Sequence, residues 1–359
     1  MSRWPHVRVE MIGIKTRLCA IAAGATLCVA LLLAAEGMLR LWGPRENYAR
    51  YDPQTRWSLR PGYRGPGPNL PDSELSYELS VNDAGLRGGP VARSKPPDSV
   101  RLAAIGDSVT FGFGVREEET YHARAVAMLA ADFAPRRIEG VNAGVPGFSS
   151  LQGLRLLRSH VLPLAPDIVT VLYGWNDGWR ASASDAAWNG DSVEATIQSS
   201  RLLTLTRSGV SSVVRRFGPG VRPEPRAMLP RVSPHDFEVN LLDIAEAVRR
   251  AGAIPIFITA PAAFGPDRPP DAYFRYGWTV PREELEPTRL RYAEAARRAA
   301  RAARAPLVDC ARLIPPDPGL FLADGYHPNE TGHRAMADQI VEALREAGVT
   351  RGVGTAWSH

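Results

Sequence analysis

The chain has 359 residues, 45% of them hydrophobic and 23% charged, which are the proportions of a globular protein with one large domain plus appendages. The formal net charge is +5, but the basic residues are nearly all Arg, scattered and accompanied by 38 acids. No compact basic run with interleaved aromatics is present, so no nucleic-acid partner is expected. The three cysteines, Cys19, Cys28 and Cys310, form neither a disulfide framework nor a Cys-x-x-Cys metal signature, and no metal or cofactor is expected.

Residues 1–17 carry Arg3, Arg8, Lys15 and Arg17 against Glu10. Leu18 to Ala35 then runs without a charge, and helix can continue to Trp42. A helix over 18–42 would be about 37 Å long, enough for a bilayer core. The basic tail predicts a cytoplasmic N-terminus and a periplasmic or extracytoplasmic bulk. The rival reading is a cleaved signal peptide, but Ala35-Glu36-Gly37 is a poor cleavage site, so an uncleaved transmembrane anchor is preferred.

Residues 43–99 are rich in Pro, Gly and Arg. Leu75 to Val81 alternates as a strand does, Asn82-Asp83-Ala84-Gly85 turns the chain, and Leu86-Arg87 starts a return. A small β-rich extension is expected here. From Val100 the pattern becomes strand and helix in alternation. Strands are predicted at 100–105, 138–142, 167–173, 254–259 and 306–309, and helices at 121–131, 151–162, 235–251, 283–303 and 329–347. Repeated βα units imply an α/β fold with a parallel central sheet covered on both faces, whose ligands sit at the carboxyl ends of the strands. A domain over 100–349 is therefore expected, with long insertions at 178–234 and 260–282 and a C-terminal tail at 350–359. The insertions carry Trp179, Trp188, Tyr273, Phe274, Tyr276 and Trp278, suited to a lid or walls around a substrate, the alternative being local packing of surface aromatics.

Four strand exits on one edge carry chemistry. The first strand runs into Gly106-Asp107-Ser108, a place that can hold a nucleophile. The second exit, Asn142 to Ser150, contains Gly144 and Gly147, where a backbone N–H can approach a ligand. The third, Tyr173-Gly174-Trp175-Asn176-Asp177, offers a side-chain amide. Of the seven histidines, His327 alone lies in a polar turn ahead of the last helix, three residues after Asp324. A dinucleotide site is not expected, because Gly112-Phe113-Gly114 lacks the third glycine.

Taken in order, Gly106-Asp107-Ser108, Gly147, Gly174-x-Asn176-Asp177 and Asp324-x-x-His327 resemble the four blocks of the SGNH hydrolase superfamily, the GDSL esterases and lipases. The resemblance implies a flavodoxin-like three-layer α/β/α sandwich and a serine esterase. Ser108, Asp324 and His327 would form its triad, with Ser108, Gly147 and Asn176 as oxyanion donors. Gly147 is preferred over Gly144 because the family's glycine stands five residues after the Asn of that segment. Asp107 and Asp177 are expected to be structural hydrogen-bonders. Trp175, between Gly174 and Asn176, departs from the pattern; it would narrow the pocket, and with Trp179 it is a candidate substrate contact. The segment Ser80 to Arg87 resembles the one that precedes the Gly-Asp-Ser strand in membrane-anchored bacterial members. The substrate implied is an ester or an acylated carbohydrate, hydrolysed by water. The alternatives are acyl transfer to an envelope or exopolysaccharide sugar through the same site, and a non-catalytic glycan-binding envelope protein.

Overall fold

The computed structural model describes residues 6–42, 47–188, 190, 193, 196–197, 200–207, 228–265, 271 and 280–352. The chain divides into two compact units, one of 1–47 with 191–221, the other of 48–190 with 222–359.

The first unit contains helix α1, His6–Trp42. Helix begins well before Leu18, so the basic segment is largely an extension of the apolar helix rather than a separate tail. Residues 16–42 have a mean hydropathy of 2.5 in their most apolar window, and that window is not buried. The stretch is long enough to cross a bilayer, a length that an N-terminal signal sequence also reaches. Near its end Glu36 accepts hydrogen bonds from Ser200 Oγ (2.9 Å), Arg201 N (3.1 Å) and Leu202 N (2.9 Å).

The second unit is organised by five parallel strands: β5 (Ser99–Gly106), β6 (Arg137–Gly144), β7 (Ile168–Leu172), β10 (Ile254–Ile258) and β11 (Leu307–Val308). Their spatial order is β11-β10-β7-β5-β6. Taken as five successive strands this is 2-1-3-4-5, the flavodoxin-like winding, whose switch point lies between β5 and β7. The register runs Leu102 opposite Ile168 and Gly106 opposite both Gly144 and Leu172. Side chains alternate between two cores, as a pleated strand requires. Ala103, Ile105, Val169, Val171 and Phe257 face one core, and Val100, Leu102, Ile168, Leu172, Ile256 and Ile258 the other.

The helices of this unit are α2 (Ser108–Phe111), α3 (Tyr121–Phe133), α4 (Ser150–Leu156), α5 (Pro234–Arg250), α6 (Arg282–Ala302), α7 (Cys310–Leu313), α8 (Glu330–Glu346) and α9 (Val349–Gly352). Helices α4, α5 and α6 cover the first core, and α3 and α8 the second. The three-layer expectation holds. The predicted helix 151–162 differs in detail: α4 ends at Leu156 and passes into a π-helical turn at 157–161 and a 3-10 turn at 162–164, which carries Pro163. The missing N–H of that proline fits the loss of the regular ladder.

Residues 48–99 fold within this same unit. Strands β1 (Ala49–Asp52) and β2 (Arg56–Leu59) form an antiparallel hairpin, and β3 (Arg64–Pro66) pairs with β4 (Glu78–Ser80). The predicted return at Leu86-Arg87 is not a strand. It is a single bridge of Arg87 to Val81, with a second to Asn142. Arg87 is buried, and its guanidinium donates to the carbonyls of Phe111 (2.5 Å), Gly112 (2.7 Å) and Val115 (2.7 Å). The extension thereby fastens the turn after Ser108.

The insertion at 178–234 is closed at its base by β8 (Arg180–Ala181) and β9 (Leu229–Pro230), paired antiparallel. Tyr273, Phe274, Tyr276 and Trp278 of the second insertion lie outside the described residues.

Candidate active site

Ser108 begins α2, directly after β5. Asp107 caps that helix, its Oδ1 accepting from Val109 N at 2.9 Å. The N–H of a first helical residue has no acceptor within its own helix, so α2 does not take up Ser108 N–H. Helix α2 lies tight against the end of β6: a Cβ on Gly144 would collide with the Phe111 backbone. Asn142 ties the two together, its Nδ2 donating to Thr110 O (3.0 Å) and its Oδ1 accepting from Gly144 N (3.0 Å).

His327 comes from the loop before α8. This loop does not follow β11 directly: α7 and a 3-10 turn at 318–320 intervene. A bridge between Phe321 and Pro328, with Leu322 N donating to His327 O at 2.7 Å, closes it back on itself. His327 Nε2 lies 2.8 Å from Ser108 Oγ, and Nδ1 lies 2.6 Å from Asp324 Oδ2. Asp324 Oδ1 accepts from the backbone N–H of Tyr326 (3.2 Å) and His327 (3.1 Å). A carboxylate with those donors accepts only, which puts the imidazole proton on Nδ1 and leaves the Nε2 lone pair for the serine hydroxyl. The Phe113 ring stacks on the imidazole with centroids 4.3 Å apart and planes at 16°, and Tyr326 packs at 4.0 Å. Asp324 is fully buried, and His327 and Ser108 are 2% and 6% exposed.

Asn176 Nδ2 donates to Phe148 O at 3.0 Å, a bond that uses one of its two amide hydrogens. This places it against the Gly147 loop, whose start is fixed by Val145 N donating to Gly106 O at 3.0 Å. Gly147 has φ +82, a conformation that favours glycine. Asp177 binds the second and third exits: Oδ1 accepts from Ser150 N (2.9 Å) and Ser150 Oγ (2.6 Å), and Oδ2 from Gly174 N (3.1 Å). Burial pushes its carboxyl up to about 6, against the pull of those donors. Trp175 is buried, packed on Tyr326 (5.0 Å) and Phe264 (6.1 Å), and so reaches His327 through Tyr326. Trp179 is half-buried, and its carbonyl accepts from Arg231 N.

Asp107 carries one oxygen, Oδ2, with no partner among the described residues, and burial pushes its carboxyl up to about 7. The folded chain therefore holds this proton more tightly than an unfolded chain does. Its contribution to stability is full below about pH 4 and is lost as pH rises through about 7. The melting-temperature difference between Asp107→Asn and wild type is expected to move in the variant's favour from pH 4 to pH 8, by the equivalent of about 2–4 kcal/mol. A difference flat across that range would contradict the neutral, buried carboxyl.

The sequence did not point to Arg87, Phe113, Asp185 or Arg231 as parts of this neighbourhood. Arg87 stands in the motif Ser80 to Arg87, which was its one signal. Phe113 stands in Gly112-Phe113-Gly114, which reads only as an incomplete glycine pattern, and Asp185 and Arg231 are single residues without a pattern.

The GDSL-like lipase/acylhydrolase family model matches residues 104–335. A comparison with curated proteins gives no match. Among solved structures, the lipase/acylhydrolase from Enterococcus faecalis is 18% identical, covering 69% of this chain and 96% of its own, with a TM-score of 0.45. TesA is 17% identical, covering 68% of this chain and 98% of its own, with a TM-score of 0.42. A catalytic mutant of an acetylxylan esterase from Geobacillus stearothermophilus is 16% identical, covering 68% and 94%, with a TM-score of 0.42. The family match takes in the Ser108, Gly147, Asn176 and Asp324-x-x-His327 segments together, over more than half of the sequence: this chain belongs to the GDSL-like lipase/acylhydrolase family.

Proposed function

We propose that the protein is a membrane-anchored serine esterase that hydrolyses O-acyl esters. The observation that carries this reading is the unbroken chain Asp324 Oδ2, His327 Nδ1, His327 Nε2, Ser108 Oγ, with links of 2.6 and 2.8 Å. His327 takes the Ser108 proton as Oγ attacks the ester carbonyl. Asp324 holds the ring in orientation and stabilises the imidazolium as it forms. The oxyanion is held by Ser108 N–H, Gly147 N–H and the second hydrogen of the Asn176 amide. The imidazolium then protonates the leaving alcohol. Water, deprotonated by His327, attacks the acyl-serine, and collapse of the second tetrahedral species returns free enzyme and a carboxylic acid.

The anchored, exported location is supported by the net basic segment ahead of the apolar helix. Retention of that helix is supported by Glu36. Cleavage around Ala35-Glu36-Gly37 would cut the chain beside the carboxylate that accepts from Ser200, Arg201 and Leu202. An exported, tethered domain meets acylated envelope carbohydrate, which is the substrate class we favour.

Purified full-length protein in detergent, offered p-nitrophenyl acetate, longer p-nitrophenyl esters and acetylated glycans, should release acid from the short esters and acetate from the glycan. Acyl product that forms only when a sugar acceptor is added, with little free acid, would replace hydrolysis by acyl transfer. Membrane fractions should hold the chain with residues 1–42 intact; a mature chain starting after Ala35 would overturn the anchor.

A further inference from the structure

The N–H of Gly147 and the carbonyl of Pro146 belong to one peptide unit. That unit is trans, so its N–H and C=O point in opposite directions. Whatever holds the Pro146 oxygen therefore aims the Gly147 N–H. Trp57 Nε1 donates to that oxygen at 3.0 Å. Trp57 belongs to β2, in the extension ahead of the α/β domain, and its ring lies 3.1 Å from where a Cβ on Gly147 would stand. It also packs edge-on against Phe148, with centroids 5.8 Å apart.

The next peptide unit is held as well. Arg231 Nη1 donates to Gly147 O at 2.7 Å. Arg231 follows β9 at the base of the 178–234 insertion and is itself fixed. Its Nε and Nη2 reach Asp185 at 3.2 and 2.8 Å, and Nη2 reaches Gln152 Oε1 at 2.6 Å. Arg231 and Asp185 are 6% and 2% exposed, and Asp185 also accepts from Ser149 Oγ at 2.7 Å. The guanidinium stands 5.6 Å from the Trp57 ring, so the two supports touch one another. Both peptide units around the positive-φ Gly147 are thus gripped from outside the α/β domain's own strands. An accepted hydrogen bond on a peptide carbonyl also polarises the N–H of that unit and makes it a better donor.

We propose that Trp57 and Arg231 are positioning residues of the oxyanion hole, holding the Gly147 N–H in the direction that a developing oxyanion needs. The extension and the base of the insertion are then part of the catalytic apparatus, and not only a spacer and a lid. This rests on the esterase reading above and adds two residues to it.

The test uses full-length protein with Trp57→Phe, which keeps a ring and removes the donor, and Arg231→Lys, which keeps the charge and removes the fork. Two readouts are taken: hydrogen exchange of the Phe148 and Ser149 amides, and kcat and KM on p-nitrophenyl acetate. These amides are bonded to Val145 O and Gln152 Oε1, so they report whether the loop is held. Each variant is expected to speed their exchange. Trp57→Phe is expected to lower kcat about tenfold, the worth of one good hydrogen bond, with KM within about twofold. Exchange equal to wild type in both variants would overturn the positioning role. Faster exchange with kcat unchanged would show that the loop is held but does not serve the oxyanion, which also overturns it. Ser108→Ala runs beside them. Full activity there would sink the serine mechanism itself, while the exchange arm still decides whether Trp57 and Arg231 hold the loop.

Discussion

Replacing Ser108 by alanine is expected to lower kcat on p-nitrophenyl acetate by about a million-fold. The size follows from how completely the site commits to one nucleophile. Ser108 Oγ is the hydroxyl that His327 Nε2 reaches, at 2.8 Å, and the imidazole is locked by Asp324 on its other nitrogen and by Phe113 on its face. Without Oγ the imidazole has no hydroxyl to deprotonate and no acyl-enzyme can form. His327→Ala should lose about as much, since an unassisted serine hydroxyl is a weak nucleophile near neutral pH. The double variant should lose no more than either single one, because the two groups act as a unit. Steady-state rates of the three variants test this together. Losses that multiply in the double variant would mean that serine and histidine act in separate steps.

Replacing Asn176 by alanine is expected to lower kcat on the order of 100- to 1,000-fold while KM changes little. The amide is 3% exposed and already anchored by its bond to Phe148 O, so its second hydrogen has a fixed direction. A donor held in advance stabilises charge that exists only in the transition state, which is why the loss falls on kcat. Asn176→Asp should lose more than Asn176→Ala, because it puts an acceptor where the oxyanion forms. A loss confined to KM would make Asn176 a substrate contact instead.

The parts of the fold legible in the sequence are those set by local chemistry. Apart from Arg101 and Thr170, Val100 to Ile105 and Ile168 to Leu172 are apolar on both faces and read as central strands because a doubly covered sheet buries both of their sides. Ser108, Gly147 and Asn176 are legible because turns at strand exits put their segments on one edge of a parallel sheet, and His327 because it stands three residues after Asp324 in a polar turn ahead of the last helix. Hydrophobic spacing runs the helix after residue 150 on to Leu162, because it does not register a change from α to π and 3-10 winding. The loop between β11 and His327 hides α7 from the sequence, because four residues make too few turns to show a period. What the sequence hid is the long-range support. Arg87 lies 24 residues or more from the carbonyls it holds, Trp57 lies 89 residues from Pro146, and Arg231 lies 84 from Gly147. A lone Arg or Trp in a Pro- and Arg-rich segment carries no periodic signal, and its partners are backbone oxygens, which any sequence would supply.

The central claim is that Ser108 is a nucleophile activated by His327. The measurement that reaches it most directly is covalent capture. Full-length protein is treated with a fluorophosphonate, digested, and the adduct located by mass spectrometry, with Ser108→Ala and His327→Ala beside it. The expected result is one phosphonyl adduct on Ser108, none in Ser108→Ala, and a labelling rate at least about 100-fold lower in His327→Ala. An adduct on another serine, or labelling of Ser108 at the same rate without His327, would contradict the triad.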